Sequence, residues 1–245
     1  MNKVKKRVAI VTGAGGAIGK GIARKLSEDG YTVVCVDRNL QAVSKVAEEI
    51  LDAVAFEVDV SKEAELLKLR SNLIQTVGAP TLLVNAAGVF FLHDVTTLTE
   101  ESFDLIMDIN LKGIFFVCKT FIPDLLEAGK GNIINISSTA GLHSGTNRAV
   151  YCASKAGVIM FTKSLSADYG SRGVRANCVC PGLIDTPMAS WLKEDPASFR
   201  AWEASIPAQR VGTVEDIANA VSYLASDASS YVFGESLVVD GGSIA

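Results

Sequence analysis

Short apolar runs alternate along the whole chain with longer stretches in which apolar residues recur at helical spacing. Runs of roughly four to eight apolar residues, bounded by turn residues, indicate strands that are buried on both faces of a parallel sheet. The predicted strands are 7–12, 32–37, 53–58, 81–85, 132–137, 175–180 and 236–240.

Amphipathic helices are predicted between these strands. One apolar stripe covers 18–26 and stops before Gly30, and another covers 66–77 and stops before Gly78. Glycine is common directly after the last residue of a helix. Alternating strands and helices predict an α/β fold with helices on both faces of the sheet.

The stretch 183–208 breaks this alternation. It contains three prolines and two tryptophans among polar residues, and no predicted strand. Long connections without a strand are usually functional or mobile. We interpret 183–208 as short helices that form a lid over a substrate pocket; an ordinary surface excursion is the alternative.

Composition limits the possible classes of protein. The chain has 245 residues, of which 49% are hydrophobic and 20% charged, enough for one α/β domain with a substantial core. A net charge of -4 argues against a nucleic-acid-binding surface. No apolar stretch reaches the roughly twenty residues of a membrane span, and the basic cluster 3–7 lacks the features of a secretory signal. We therefore expect a cytoplasmic protein that binds neither membrane nor nucleic acid.

The cysteines indicate neither a disulfide framework nor a metal site. There are five, an odd number, and none forms a Cys-x-x-Cys pair, so reduced core thiols are expected. Cys178 and Cys180 could share one face of a strand. No histidine or further cysteine lies near them in sequence to complete a ligand set, so no metal is predicted.

A glycine-rich turn joins the first predicted strand to the first predicted helix. Such a turn lets a ligand approach the backbone, and the N–H groups of the following helix N-terminus suit a pyrophosphate. With the alternation of elements, it predicts a single-domain Rossmann fold over residues 1–245, with a doubly wound, mostly parallel sheet of about seven strands. The residues of the turn are Thr12, Gly13, Ala14, Gly15, Gly16, Ala17, Ile18 and Gly19.

Asp37 ends the second predicted strand, and Arg38 follows it. A carboxylate at this place accepts hydrogen bonds from the ribose hydroxyls of NAD and repels the extra phosphate of NADP. Arg38 would attract that phosphate. The pair favours NAD as cofactor, with NADP as the alternative; a solvated turn residue is the other interpretation of Asp37.

Two further groups of residues follow predicted strands at the sheet edge where open α/β folds bind ligands. The first pairs a carboxylate, which could accept a hydrogen bond from the adenine amino group, with an apolar side chain. The second consists of small residues that would let the backbone pass close to a cofactor. These residues are Asp59 with Val60, and Asn85, Ala86, Ala87 and Gly88.

Tyr151 and Lys155 are four residues apart in a predicted helix, and Ser138 lies shortly before them. Helical spacing places the phenol and the ammonium on one face. Lowering the phenol pKa from about 10 to about 7 requires about 4 kcal/mol. A positive charge about 4 Å away supplies about 1 kcal/mol in water, and about 4 kcal/mol at an effective dielectric near 20. The pair therefore predicts a proton-transfer site in a partly dewatered cleft.

Taken together, these residues resemble the classical short-chain dehydrogenases/reductases over essentially the whole chain. The matching positions are the turn from Thr12 to Gly19, Asp59, Asn85 to Gly88, Asn110, Ser138, Tyr151 with Lys155, Pro181 with Gly182, and Thr186. One position departs from the family pattern, since Ala17 stands where the middle glycine of the turn is usual. We expect the added methyl group to tighten the turn only slightly.

The resemblance implies catalytic roles. Tyr151 would be the general acid/base, and Ser138 would hold the substrate oxygen near its phenol. Lys155 would lower the pKa of the tyrosine and bind the nicotinamide ribose. Asn110 would hold a water that links the lysine to solvent through its backbone carbonyl.

The resemblance also implies further cofactor contacts and an assembly. Pro181, Gly182, Ile184 and Thr186 would lie near the nicotinamide, the last two at its carboxamide. Family members usually pair the helices predicted around 102–126 and 150–169, which implies a homodimer or homotetramer. The tail 242–245 could then reach a neighbour's pocket.

The substrate is less well specified. Residues on the loops around the tyrosine are the candidates to contact it: Phe90, His93, His143, Arg148 and Trp191. Arg148 could bind an anionic group of a substrate, or could be an ordinary solvated loop residue. These residues do not distinguish a sugar, a diol, a hydroxy acid or an acyl thioester.

The leading hypothesis is an NAD-dependent enzyme that interconverts a small secondary alcohol and its ketone. One alternative is a 3-oxoacyl-thioester (acyl carrier protein) reductase that uses NADPH, against which Asp37 counts. A second is a nucleotide-binding sensor without turnover, which would not need Ser138, Tyr151 and Lys155 together. A lyase or epimerase on the same fold is a third.

Overall fold

A computed structural model of the protein describes residues 7–189 and 195–245. Seven strands in this part of the chain form one sheet in the order β3-β2-β1-β4-β5-β6-β7. Every neighbouring pair is parallel. The strands are β1 (Arg7–Thr12), β2 (Tyr31–Asp37), β3 (Ala53–Glu57), β4 (Leu82–Asn85), β5 (Gly131–Ile136), β6 (Val174–Pro181) and β7 (Ser236–Val239). The predicted strands are confirmed, with bounds that differ by at most one residue at either end.

Eight α-helices in the described residues connect these strands. They are α1 (Ala17–Glu28), α2 (Leu40–Glu48), α3 (Glu63–Thr76), α4 (Glu100–Met107), α5 (Gly113–Glu127), α6 (Ala149–Tyr169), α7 (Pro196–Ser205) and α8 (Val214–Ala225). A π-helical segment, Asp108–Lys112, joins α4 to α5. Helices cover both faces of the sheet, so the predicted doubly wound Rossmann fold is confirmed.

The core has two layers because successive strand residues point to opposite faces of the sheet. In β1, Val8 and Ile10 pack in one apolar cluster with residues of α3, α5 and α6. Ala9 and Val11 pack in the other, with residues of α1, α2 and α8. A strand covered on both faces buries most of its side chains and is therefore mostly apolar, which is why the strand bounds could be predicted closely.

The strand order reverses at the centre of the sheet. β1 pairs with β2 on one side and with β4 on the other. The loops after β1 and β4 therefore diverge at their carboxyl ends and leave a crevice, the usual ligand site of open α/β sheets. The glycine turn that follows β1 lies at this crevice.

All five cysteines are free thiols; four are buried and Cys152 is partly exposed. No helix in the described part of the chain is both long enough and apolar enough to cross a membrane. Within the stretch 183–208, the structure gives α7, whereas Trp191 falls in 190–194, outside the described residues. The function of this stretch as a lid stays a prediction.

Candidate active site

The glycine turn needs glycine at two positions. Gly13 has a φ of 68°, in the left-handed region, and a Cβ there would lie 2.7 Å from the Ala87 backbone. A Cβ on Gly19 would lie 2.1 Å from the Gly13 carbonyl oxygen. Heavy atoms do not approach this closely, so side chains at these positions would force the turn open. The turn keeps its backbone accessible to a ligand.

Ala17 is accommodated because it is the first residue of α1. Gly16 precedes it as the N-cap residue, with extended backbone and no side chain to bond the helix amides. The amides at the helix N-terminus therefore lack a side-chain acceptor, as in sites that bind phosphate. The added methyl group lies on regular helical backbone, so the departure from the family pattern leaves the turn intact.

Asp37 lies at the carboxyl end of β2, beside the glycine turn. Its Oδ2 accepts a hydrogen bond from the Gly15 N–H at 3.0 Å, and its Oδ1 accepts one from the Asn39 N–H at 3.0 Å. These bonds orient the carboxylate at the crevice. Arg38 is exposed next to it.

A groove of about 410 Å³ runs along the glycine turn, and we call it the glycine groove. It brings together most residues that the sequence assigned to a nucleotide: Gly13, Gly15, Gly16, Ala17, Ile18, Gly19, Asp37, Arg38, Asp59, Val60, Ala86, Ala87, Gly88 and Thr186. The apolar side chains Val58, Val89 and Ile109 also line it and were missed, since nothing in the sequence separates them from other core residues.

Asn85 does not line this groove, so its contact with a cofactor stays a prediction. Its side chain is buried, and Nδ2 donates to Asn135 Oδ1 at 2.8 Å. Asn135 Nδ2 in turn donates to Thr162 Oγ1 on α6 at 2.8 Å. This buried chain of hydrogen bonds ties β4 and β5 to α6, below the site.

A second cavity of about 430 Å³ adjoins the glycine groove, and we call it the tyrosine cavity. Ile18, Ala86, Gly88, Val89, Thr186 and Met188 line both. Most residues that the sequence assigned as catalytic or near a nicotinamide also line the tyrosine cavity: Ser138, Tyr151, Lys155, Pro181, Gly182 and Ile184. Asn110 does not line it.

Tyr151 lies in the wall of the tyrosine cavity, where its ring contacts Phe90 edge to face at 4.8 Å between centroids. Burial raises the pKa of Tyr151, while a hydrogen bond with Ser138 and the charge of Arg148 act to lower it. Lys155 Nζ lies 5.8 Å from the tyrosine ring centroid. The groups of the chain alone therefore leave the phenol pKa above its ordinary value, and its lowering by Lys155 stays a prediction.

Lys155 is buried, and its Nζ donates to the Ile136 carbonyl oxygen at 3.0 Å. Burial lowers the pKa of Lys155 to about 8, and the neighbouring thiols Cys178 and Cys180 act against that lowering. The Ser137 hydroxyl donates to the Lys155 backbone carbonyl at 2.8 Å, which fixes α6 against the end of β5.

Asn110 lies in the π-helical segment, and its amide binds both backbone groups of Val89. Oδ1 accepts from the Val89 N–H at 2.8 Å, and Nδ2 donates to the Val89 carbonyl at 3.0 Å and to Ser154 Oγ at 3.2 Å. A Cβ on Gly88 would lie 3.4 Å from both Asn110 Oδ1 and Lys155 Nζ. The two side chains thus converge on the turn after β4.

Three of the five predicted substrate residues line the tyrosine cavity: Phe90, His143 and Arg148. His93 does not line the cavity, so its contact with a substrate stays a prediction. Its N–H donates to the Asn147 carbonyl at 2.7 Å, and its ring contacts Phe91. Trp191 lies outside the described residues.

Other walls of the tyrosine cavity come from the stretch 183–208, which the sequence analysis placed over a substrate pocket, and from the tail, which it assigned to a neighbour's pocket. Met188 and Trp202 come from the stretch 183–208, and Ser243 and Ile244 from the tail. The Asp240 carboxylate holds the tail through hydrogen bonds from the Ser243 hydroxyl at 2.8 Å and the Ile244 N–H at 3.0 Å. The tail thus lines its own chain's cavity, and its reach into a neighbour's pocket stays a prediction.

No group of three or more His, Cys, Asp or Glu side chains in the described ranges could hold a metal ion.

Comparisons with known proteins agree with this geometry. A family model described as enoyl-(acyl carrier protein) reductase matches residues 13–243. The chain is 35% identical to "Dehydrogenase/reductase SDR family member 6" of Xenopus laevis, with 99% of each chain covered. The chain belongs to the short-chain dehydrogenase/reductase family, whose members are NAD(P)-binding oxidoreductases.

Similar proteins differ in the substrates that their names give. A 2-(R)-hydroxypropyl-CoM dehydrogenase of Xanthobacter autotrophicus is 37% identical, with 96% of this chain and 97% of the relative covered. A 3-oxoacyl-[acyl-carrier-protein] reductase of Chlamydia muridarum is also 37% identical, with 96% of each covered. Among solved structures, a gluconate 5-dehydrogenase from Burkholderia cenocepacia in complex with NADP and tartrate matches with a TM-score of 0.92 at 33% identity, covering 98% of this chain and 96% of that one.

Proposed function

We propose that this protein is an NAD-dependent dehydrogenase/reductase that interconverts a secondary alcohol and its ketone. The observation that carries the proposal is the convergence of Ser138, Tyr151 and Lys155 on one cavity that adjoins the glycine groove. A nucleotide-binding sensor would need the groove without this set of proton-transfer groups.

The residues of the glycine groove fit a nicotinamide dinucleotide. The turn excludes side chains at Gly13 and Gly19, and α1 presents backbone amides without a side-chain cap, which suits a pyrophosphate. The Asp37 carboxylate lies beside the turn, where the adenine-side ribose of the cofactor would bind. When bound, a nicotinamide would supply the hydride acceptor for oxidation of the alcohol and the hydride donor for reduction of the ketone. Pro181, Gly182, Ile184 and Thr186 are the residues that would hold it beside the tyrosine cavity.

The chain's own groups handle the proton. In oxidation the Tyr151 phenolate oxygen takes the proton of the substrate hydroxyl, and in reduction the phenol returns a proton to the carbonyl oxygen. Ser138 hydrogen bonds the same oxygen and stabilises the phenolate. Lys155, held by the Ile136 carbonyl, supplies positive charge close to the phenol in a buried site, where charges interact more strongly than in water. Asn110 keeps the turn after β4 in place.

The substitution Tyr151→Phe tests the reaction. It removes the proton-transfer group and keeps the ring that contacts Phe90. We expect kcat/KM to fall by about 10²- to 10⁴-fold, the usual contribution of a general acid/base. The measurement is absorbance of the reduced cofactor with the best alcohol found among diols, sugars, hydroxy acids and cyclic alcohols.

The matched control for this test is Tyr169→Phe, at the far end of α6. This variant should keep the rate of the unmodified protein. A Tyr151→Phe variant that retains both its melting temperature and a near-normal rate would contradict the assignment.

Asp37 supports NAD over NADP. Its carboxylate lies in the groove and would repel a ribose phosphate, whereas Arg38 would attract one. Neighbours in complex with NADP argue for the alternative. We expect kcat/KM to be at least about 10-fold higher with NADH than with NADPH, and Asp37→Ala to lower that ratio about 10- to 100-fold.

Arg38→Gln is the control for the cofactor test. Because it removes attraction for the phosphate and keeps the carboxylate, it should raise the ratio of kcat/KM with NADH to kcat/KM with NADPH, or leave that ratio unchanged. A protein that prefers NADPH before any substitution would refute the choice of NAD.

A second candidate is a 3-oxoacyl-thioester reductase that uses NADPH, favoured by 37% identity to a reductase of that kind. The test is oxidation of NADPH with a 3-oxoacyl thioester. A kcat/KM well above that for every small ketone would favour this candidate over the small-molecule dehydrogenase.

A further inference from the structure

Arg148 lies in the wall of the tyrosine cavity, directly before α6. The Cys152 N–H donates to the Arg148 carbonyl at 2.8 Å and closes the first helical turn, which also contains Tyr151. Against the larger effect of burial, the charge of Arg148 lowers the pKa of Tyr151. Arg148 and Tyr151 both line this cavity, so one small molecule bound in it can contact both side chains.

The Arg148 side chain is held in place by packing. A Cβ on Gly145 would lie 2.1 Å from its Nε and 2.3 Å from its Cζ, so the guanidinium rests against the glycine backbone. Its Nε is buried and has no hydrogen-bond partner among the described residues. A buried donor without a partner costs about 1 to 3 kcal/mol. This is not the environment of a solvated loop arginine.

The charges around the cavity are unbalanced. None of its described lining residues is an aspartate or glutamate, whereas Arg148 and Lys155 are both cationic side chains. The first turn of α6 contains no acidic residue either. The Lys155 ammonium donates to the Ile136 carbonyl. In the proposed function it also lowers the pKa of Tyr151 and binds the cofactor. Arg148 is thus the cation with donors to offer to a substrate.

We propose that the substrate carries a carboxylate a few bonds from its carbinol or carbonyl carbon, and that Arg148 binds this carboxylate. The guanidinium suits the task because its planar array of N–H donors matches the two oxygens of a carboxylate. The inference rests on the proposed function and narrows its substrate class to hydroxy acids and the corresponding oxo acids.

The kinetic test compares hydroxy acids of three to six carbons with their amides, which keep the alcohol and lose the charge. The measured quantity is the ratio of kcat/KM for each acid to that for its amide. We expect the unmodified protein to favour at least one acid by about 10-fold or more. Arg148→Gln should lower that ratio by about 10- to 100-fold, the effect of losing a charge-assisted hydrogen bond. Arg148→Lys should keep part of the preference.

Arg172→Gln is the matched control. It removes an arginine that packs on Tyr169 beyond the far end of α6, outside the cavity lining. The acid-to-amide ratio should not change in this variant. Melting curves followed by circular dichroism establish that each variant is folded.

A binding measurement separates the anion site from catalysis. Calorimetric titration with butanoate and butanamide, with and without NAD, should show tighter binding of butanoate to the unmodified protein and to Arg172→Gln. The difference should disappear in Arg148→Gln. Equal binding of the two probes, or an unchanged acid-to-amide ratio in folded Arg148→Gln, would overturn the proposal.

The two hypotheses can fail separately. Turnover that depends on Tyr151, with no preference for acids over amides, would refute the proposed anion site. The proposed dehydrogenase reaction would remain supported. Binding of butanoate that depends on Arg148, without hydride transfer to any alcohol or ketone in the panel, would refute the reaction and leave the anion site.

Discussion

Burial acts in opposite directions on the two titratable side chains of α6 that line the tyrosine cavity. It raises the pKa of Tyr151 and lowers that of Lys155 to about 8. Both shifts have one cause, since a low-dielectric site disfavours the charged form of either group. The hydrogen bond with Ser138 and the charge of Arg148 oppose this effect at the tyrosine.

Removing the hydroxyl in Ser138→Ala should move the pH dependence of the reaction. The variant loses a hydrogen bond that lowers the pKa of Tyr151, so this pKa rises. Because alcohol oxidation needs the phenolate, the rise of kcat/KM with pH should shift to more alkaline values. The measurement is the pH profile of kcat/KM for alcohol oxidation.

The control for the pH profile is Ser144→Ala, which removes another hydroxyl that lines the same cavity. Its profile should match that of the unmodified protein. A Ser138→Ala profile that moves to more acidic pH would contradict the role given to this hydroxyl.

At the scale of single residues, the sequence predicted those site residues whose spacing is set by a helix or by the end of a strand. Tyr151 and Lys155 share a helical face, and Ser138 follows β5, so their convergence could be anticipated. His93 lies on a loop outside the cavity lining, where its backbone N–H bonds the Asn147 carbonyl. No periodicity encodes such a bond.

The glycine turn accepts alanine at position 17 but requires glycine at position 19. A Cβ at Gly19 would lie 2.1 Å from the Gly13 carbonyl oxygen. The Cβ of Ala17, in contrast, is accommodated at the first residue of α1. Gly19→Ala should therefore displace the turn and weaken NADH binding by about 10-fold or more, since 1.4 kcal/mol corresponds to a factor of ten. Fluorescence titration of NADH gives Kd for each variant.

Ala17→Gly is the control for the turn. It restores the usual family residue and should leave Kd for NADH within about threefold, with a loss of stability of up to about 1 kcal/mol because glycine is a poor helix former. If Gly19→Ala binds NADH as tightly as the unmodified protein, the steric argument is wrong.

Strand bounds were predictable because each buried strand is a mostly apolar run between turn residues. The bounds of the helices were less predictable. The apolar spacing through 102–126 predicts one long helix, yet a π-helical segment lies within it. The reason is tertiary, since the Asn110 amide meets the Val89 backbone only when β4 and α5 are packed together.

At the scale of the whole molecule, large apolar side chains are exposed on the helices expected to associate. Phe103 on α4, Phe115 on α5 and Met160 on α6 are 45%, 44% and 62% exposed. The Phe115 ring contacts Phe161 at 6.2 Å between centroids, so α5 and α6 present one continuous apolar surface. Contiguous exposed apolar surface often marks a protein interface.

We expect this surface to be buried between copies of the chain. Phe115→Glu and Met160→Glu should each lower the mass measured by light scattering after size exclusion, because a charge would be buried in the interface. The control is Leu51→Glu, at an 82% exposed position after α2, which should not change the mass. A monomeric unmodified protein would rule out the association.

The walls of the tyrosine cavity illustrate what sequence analysis could not assemble. Phe90, Arg148, Met188 and Ile244 come from four separate parts of the chain and meet only in the folded molecule. The turn after β1 and the residues on α6 are local patterns and were predicted. The substrate walls depend on how distant loops pack over the sheet edge.

The π-helical segment Asp108–Lys112 makes the length of the chain between α4 and α5 critical. A π-turn contains about one more residue than an α-turn. Deleting one residue here would let the winding become regular, and each residue of an α-helix turns the chain by about 100° about its axis. The side chain at position 110 would then face away from Val89, so a single deletion in this segment would remove the hydrogen bonds that hold the turn after β4.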